Sequence, residues 1–426
     1  MKGVYNMKLL KQNSLLRSLA ELRGNPRACV YTEPMWGLSM NLCLPYASVY
    51  MLGLGMNDVE VGIISSIYMF SQTVFSILSG AIVDKMGRRK STAIFDFLGW
   101  SVPCLIWAFS QGFWFFAVAA LFNGMMKITT ISWDCLMVED APKEKITAIY
   151  SGVTIAGNMS ALFAPISSIL VSKLTMVPAI RILYINAFVV MTLKLLILYK
   201  LSTETEIGKM RMASTQNRSW PELLAGYKVA FEKIVTSRGT IFAIIVSILV
   251  EIVAMLGTTF WQIIVSKRIG VSDTLLPIFP MLRSIMSMLM FFTIMGRIHQ
   301  SKLKWPLISG FVTSIAAYIL LISITGTGAI GYVILCVSLL FEAFGQGVLY
   351  TLRESLVAIY VDPEERSNIL SILQTTVMFV SVPFGYIGGV LSDISRMLPF
   401  VLCMVLLLIG VAATFRFYGA SAAKEE

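Results

Sequence analysis

Five ionisable side chains stand where water is scarce: Glu33, Lys127, Glu251, Arg283 and Glu342 each fall inside a long apolar run. A charge in such surroundings is expensive, so it turns to a cavity or to a partner of opposite sign and is a functional candidate by default. Lys127, Glu251, Arg283 and Glu342 lie near the middle of their runs, and two bases with two acids sum to zero. If they pair when nothing is bound, neither sign is left bare, and a solute or a proton can exchange for one member. Glu33 lies early in the first run, ahead of Pro34 and Trp36. A carboxylate there can carry a coupling proton or act as a static partner of a gate, and the sequence leaves both open; Glu251 and Glu342 are proton candidates beside it. Asn41, Gln72, Asn158, Gln262, Gln346 and Gln374 could orient a ligand by hydrogen bonds, with Trp36, Tyr46 and Trp261 as aromatic contacts for an amphipathic compound. Asp96 and Lys194 lie nearer the ends of their runs, where snorkelling to the interface is the expectation.

The elements that position these groups follow from composition. The chain has 426 residues, 57% hydrophobic and only 14% charged, with a mean hydropathy of +0.77. Soluble domains are roughly 45–50% apolar and about 25% charged, so this is an integral membrane protein. Apolar stretches of membrane length recur at about 27–52, 60–83, 92–110, 113–138, 146–170, 177–199, 240–264, 275–298, 305–324, 328–352, 367–391 and 398–417. The expected fold is all-α, with twelve transmembrane helices in two six-helix bundles. Residues 1–26 form a basic lead-in, 27–200 the first bundle, 201–238 a linker, 239–418 the second bundle and 419–426 a tail. Within the linker, Ser219 and Glu222 make a capping box with Pro221 in the first turn, and the residues after it predict an amphipathic surface helix.

Lysines and arginines concentrate in alternate connections, including Lys85 to Lys90, so the positive-inside rule places both termini in the cytoplasm. The formal charge of +10 is therefore a matter of topology, and no nucleic-acid partner is expected. Six scattered cysteines, no CxxC pair and a single histidine, His299, give no zinc site or disulfide framework, and no cofactor is expected. No nucleotide-binding loop, HExxH or GxSxG is present, so the chain is not expected to be an enzyme. "VEDAPKEKITAIYS" and "IYVDPEERSNILS", after the fourth and tenth runs, form a weak internal repeat of the kind that places a binding site between related bundles.

The segment "SGAIVDKMGRRKST" joins the second and third runs. Gly80 would allow close helix approach, Gly87 a tight turn, and Asp84 a carboxylate at the membrane edge. Arg88 and Arg89 would meet Asp134, Glu139 or Asp140 at the inner end of the fourth run and hold the two bundles together on the cytoplasmic side.

The pattern G-x-x-x-D-K-x-G-R-R from Gly80 to Arg89, between the second and third of twelve runs, resembles the loop motif of the major facilitator superfamily. Asn57 or Asp58 capping the second run, with Glu60 near its start, is similar to that superfamily's second helix. The resemblance implies pseudo-symmetric bundles, secondary transport by alternating access and a central cavity lined by helices 1, 2, 4, 5, 7, 8, 10 and 11. The counterpart in the second half, "TIMGRIHQSKLK", keeps only Gly296, Arg297 and some bases. Ala120 stands where many proton-coupled relatives carry an arginine, and "SALFAPISS" is a faint form of an exporter pattern. The expectation is a monomeric secondary transporter of a small organic solute in the plasma or inner membrane, proton-coupled, with efflux ahead of uptake. The alternative is a transporter-like sensor that binds solute without turnover.

Overall fold

A computed structural model describes residues 18–219, 222, 238–293, 303–360 and 366–422. Residues 1–17, nearly all of the expected surface helix at 219–235, the repeat around Pro363, and Gly296, Arg297 and His299 lie outside the described residues. Within the described residues, helix occupies each of the twelve apolar stretches. These are α1 (Gly24–Cys43), α2 (Asp58–Met86), α3 (Arg88–Ala108), α4 (Phe113–Val138), α5 (Lys143–Leu174) and α6 (Met176–Leu201), then α7 (Arg238–Ile269), α8 (Ile278–Thr293), α9 (Lys304–Ser323), α10 (Ala329–Tyr360), α11 (Arg366–Ile394) and α12 (Leu398–Ala422). Ten of these helices are long and apolar enough to cross a membrane; the other two are α1 and α8. After Cys43, α1 passes through a tight turn at Leu44–Tyr46, where Pro45 supplies no N–H, and helix resumes at Ala47–Gly53.

Local chemistry accounts for the boundaries around the segment of interest. Asn57 starts α2 by accepting from the Glu60 amide at 2.8 Å, while the Glu60 carboxylate accepts from the Asn57 amide at 2.9 Å. At its other end, Gly87 (φ 85°) takes a conformation that a side chain would strain, and α3 starts at once. A widened turn at Phe97–Ser101 interrupts α3; the Asn123 amide bonds the Gly99 carbonyl there at 2.6 Å, and Gly99 sits against the Met126 backbone.

Helices α1 to α6 pack mainly among themselves, and α7 to α12 do likewise. The halves meet most extensively along α2 and α11, and again along α5 and α8. Small residues make the first seam: a Cβ on Gly62 would lie 2.7 Å from the Gly389 Cα, and one on Gly385 would lie 2.7 Å from the Ser66 amide nitrogen. Gly80, expected at a close approach, has nothing within 4 Å of its missing Cβ.

Asp96 and Lys194 correct a second expectation. They do not snorkel: they pair at 3.1 Å with both side chains 5% exposed, joining α3 to α6. Each sits on the inward face of its helix, so the cheapest partner for either charge is the other.

Candidate functional site

Two cavities lie along the seam between the halves. The first, about 540 Å³, is walled by Thr154 and Asn158 of α5, Glu251 and Thr258 of α7, Arg283 and Ser287 of α8, Tyr318 of α9, and Glu342, Gln346, Tyr350 and Arg353 of α10. The second, about 390 Å³, is walled by Asn41, Ser65, Tyr68, Trp100, Trp107, Phe116, Asn123 and Gln262 and shares Thr258 and Arg283 with the first. Trp100 and Trp107 of α3, Tyr184 of α6 and Tyr318 of α9 therefore join walls that the resemblance reserved for the other eight helices.

Arg283 stands where the cavities adjoin. Its Nη2 donates to Glu342 Oε2 at 2.7 Å, and its guanidinium lies 5.3 Å from the Trp261 ring centre. The ring is steadied edge-on by Phe279, so the arginine is aimed by a cation–π contact as well as an ion pair. Glu251 pairs with Arg353 at 3.0 Å. Lys127 makes no ion pair among the described residues and lines neither cavity; Glu251 and Arg353 are the charged groups that act on it. The expected four-charge set is thus revised: Arg283 and Glu342 pair as a unit, Arg353 takes Glu251, and Lys127 is left over. Arg353 meets Glu251 on another helix, because separation along α10 says nothing of which helix a side chain faces.

Hydrogen bonds across the halves run from Ser76–Thr375 at 3.4 Å, through Asn158–Ser284 and Ser66–Val382, to the start of α2. There Asp58, with its side chain 4% exposed, accepts from Ser392 at 2.6 Å and from Arg396 at 3.2 Å. Asn57 makes the cap, which leaves Asp58 free for this latch. An Asp58–Arg396 double-mutant cycle is expected to give a coupling of about 1.5–3 kcal/mol for this charge-assisted contact. Distances between spin labels at this end check it: Asp58→Asn should broaden them toward separation, and an unchanged distribution would refute the latch.

At the other end of α2, Arg88 bonds Asp84 at 2.9 Å and Glu139 at 3.1 Å. Glu204 accepts from the Arg88 and Arg89 amides at 2.8 and 3.1 Å, capping α3. The Arg89 guanidinium donates to the Tyr199 carbonyl and lies 3.9 Å from that ring. Thr205 donates to Glu139 and caps the short helix Glu206–Thr215, whose Thr215 hydroxyl donates to the Asp84 carbonyl at 3.1 Å. Every described partner of Asp84, Arg88 and Arg89 thus lies between residues 83 and 215. The island clasps the first half to the start of the linker, where a contact with the other bundle was expected. Asp134 bonds neither arginine.

A family model described as the Major Facilitator Superfamily matches residues 35–382. The chain belongs to the Major Facilitator Superfamily. No curated protein sequence matches it significantly. Among solved structures it is similar to a point mutant of the nucleoside transporter NupG, at 17% identity and a TM-score of 0.71, covering 93% of this chain and 99% of that one. It is also similar to a POT family transporter in complex with 5-aminolevulinic acid, at 15% identity, 93% and 96% coverage and a TM-score of 0.69. The human organic anion transporter MFSD10 (TETRAN) gives 16%, 91% and 98%, and 0.63. At such identities the likeness is one of fold. The superfamily and these neighbours are membrane transporters, not enzymes.

Within this superfamily frame the remaining candidates separate. Asn41 and Gln262 line the second cavity, and Asn158 and Gln346 the first. Trp36 stacks edge-on with Trp100 at 5.3 Å, one layer behind the second cavity. Tyr46 is fully buried, Gln72 is buried beside Met69, and Gln374 is exposed; none of the three lines either of these two cavities. Glu33 lines neither cavity and instead has the Lys194–Asp96 pair as its charged neighbours. Sequence reading gave Asp58 only a capping role and missed Ser392, Arg396 and Glu204; the signal for Arg396 and Glu204 was charge at helix ends, and Ser392 gave none.

Proposed function

We propose that the chain is a secondary active transporter that moves a small organic solute by alternating access. On this reading the chain crosses a plasma or inner membrane twelve times, the lysine and arginine distribution favours cytoplasmic termini, and the monomer is the working unit. The reading is carried by one observation: two ion pairs, Arg283–Glu342 and Arg353–Glu251, face a cavity at the seam of two halves. On this topology the Asp58–Arg396 latch and the glycine seam lie toward the outside, so the conformation is the one closed to the exterior. The clasp at Asp84, Gly87, Arg88, Arg89 and Glu139 keeps the first half and the linker together as one moving body.

Proton coupling falls to Glu251 and Glu342. Each is held by an arginine, and protonation would release that arginine to a solute. Glu33 takes the static role. The pattern around Pro165 favours export, and α5 does unwind between Ala161 and Ile166.

Transport of a metabolite and drug panel in proteoliposomes with an imposed pH gradient tests the reading. Glu251→Gln or Glu342→Gln is expected to abolish gradient-driven accumulation, a loss of about tenfold or more, while solute exchange persists. Full accumulation in both variants would remove the coupling assignment. Binding without flux under any gradient would make the chain a sensor.

A further inference from the structure

We propose that the second cavity binds an uncharged, flat ring carrying a carbonyl beside a ring N–H, as a lactam or cyclic imide does. The inference rests on the reading of the seam cavities as the solute's place and adds the chemistry of what they hold. Among the described residues, the charged side chains lining the two cavities are Arg283 and Arg353 against Glu251 and Glu342, so the signs balance. Each carboxylate has an arginine within 3.0 Å. A solute with a net charge would bring that charge uncompensated into a half-dry space, so a neutral one is favoured. The second cavity is lined by no carboxylate among the described residues, so the ammonium of a zwitterion has no partner there either.

Hydrogen bonding narrows the class. Asn41 Nδ2 donates to the Gly37 carbonyl at 2.7 Å, and Asn123 Nδ2 donates to the Gly99 carbonyl at 2.6 Å. A carbonyl oxygen only accepts, so both amide nitrogens are fixed on those contacts and both amide oxygens are turned away from them. No described donor reaches either oxygen, although Asn123 is only 7% exposed. The first half therefore brings two open acceptors to the cavity wall, and the buried Gln262 Oε1 of the second half, also without a described donor, adds a third. Donors come from Arg283: of its five N–H groups, one has an acceptor among the described residues, at Glu342. A ring N–H answers the asparagine oxygens and the adjoining carbonyl answers the arginine, so one edge of the solute ties the two halves together. The ring faces meet Trp100 and Trp107, which are braced: Trp36 packs edge-on against Trp100 at 5.3 Å, and the Tyr50 hydroxyl donates to the Trp107 carbonyl at 2.8 Å. A polyol fits less well, because Met40, Met51 and Ile64 complete the same wall and would leave its further hydroxyls unpaired.

Binding is read without turnover, so its failure is distinct from failure of the transport reading. The probe is the lactam carbostyril, titrated calorimetrically into the purified full-length chain in detergent. N-methylcarbostyril keeps the ring and carbonyl and lacks the donor; quinaldate and N-methylquinolinium keep the ring and add a negative or a positive charge. Carbostyril is expected to bind about tenfold or more tightly than each of the three. The ring N–H has a single proton, so Asn41→Leu or Asn123→Leu, whichever removes its acceptor, should weaken carbostyril about tenfold and leave N-methylcarbostyril unchanged. A purely structural role for the asparagines would weaken both compounds alike. The Asn41 amide bonds only within its own helix, so that variant keeps the fold, and the compound series in the native chain decides by itself if Asn123→Leu does not fold. No binding of carbostyril overturns the proposal. So does binding of the N-methyl or either charged analogue as tight as carbostyril, or an equal loss for both lactams in every asparagine variant that folds.

Discussion

Gly62→Val is expected to abolish solute flux while leaving the folded helices intact. The added side chain would project at the Gly389 Cα, 2.7 Å from its own Cβ, and at the Gly389 amide nitrogen at 2.8 Å. Both are backbone atoms, so no rotamer change relieves the clash. Overpacking costs about 1–3 kcal/mol where neighbours can give, and here α2 and α11 must part. The cost falls only on the state in which these helices are closed at that end, so it acts as a population shift; about 3 kcal/mol is more than a hundredfold. Distances between spin labels near the two helix ends, measured beside flux, check the outcome. Retained flux with the closed distance preserved would show that the glycine seam does not govern closure. Gly80→Ala is the contrast: with nothing within 4 Å of its Cβ, it should cost this state nothing and favour helix by about 0.5–1 kcal/mol.

The second large effect concerns stability. Lys194→Met leaves the Asp96 carboxylate buried beside Glu33 with its cation gone. Removing one member of a buried pair costs about 3–5 kcal/mol, whereas replacing both with apolar residues of similar volume is near neutral. The single variant should therefore unfold at much lower denaturant concentration in detergent, and Lys194→Met with Asp96→Leu should recover most of the loss. A single variant within about 1 kcal/mol of the native chain would mean that water reaches Asp96. The pair lines neither cavity, so residual transport per folded molecule should be close to native in the double variant.

The contrast between these sites separates what was legible in the chain from what was not. Each of the twelve apolar stretches is helical within the described residues, and the starts and stops at Asn57, Glu60 and Gly87 follow from caps and turns that short-range chemistry decides. Which glycines matter was not legible. Gly80 and Gly62 are both glycines of α2, but only Gly62 faces another backbone, because the crossing of α2 and α11 sets their point of closest approach.

The charged residues show the same division. Reading along the chain is enough to establish the lipid-dominated character of the protein, the run that carries each buried charge and the superfamily motif from Gly80 to Arg89. It took the packed helices to reveal that Arg353 meets Glu251 across 102 positions, that Asp58 meets Arg396 across 338, and that Lys194 finds Asp96. Burial demands a partner for every ion, and that demand can be read from hydropathy. The identity of the partner depends on helix rotation and packing, which no local pattern encodes.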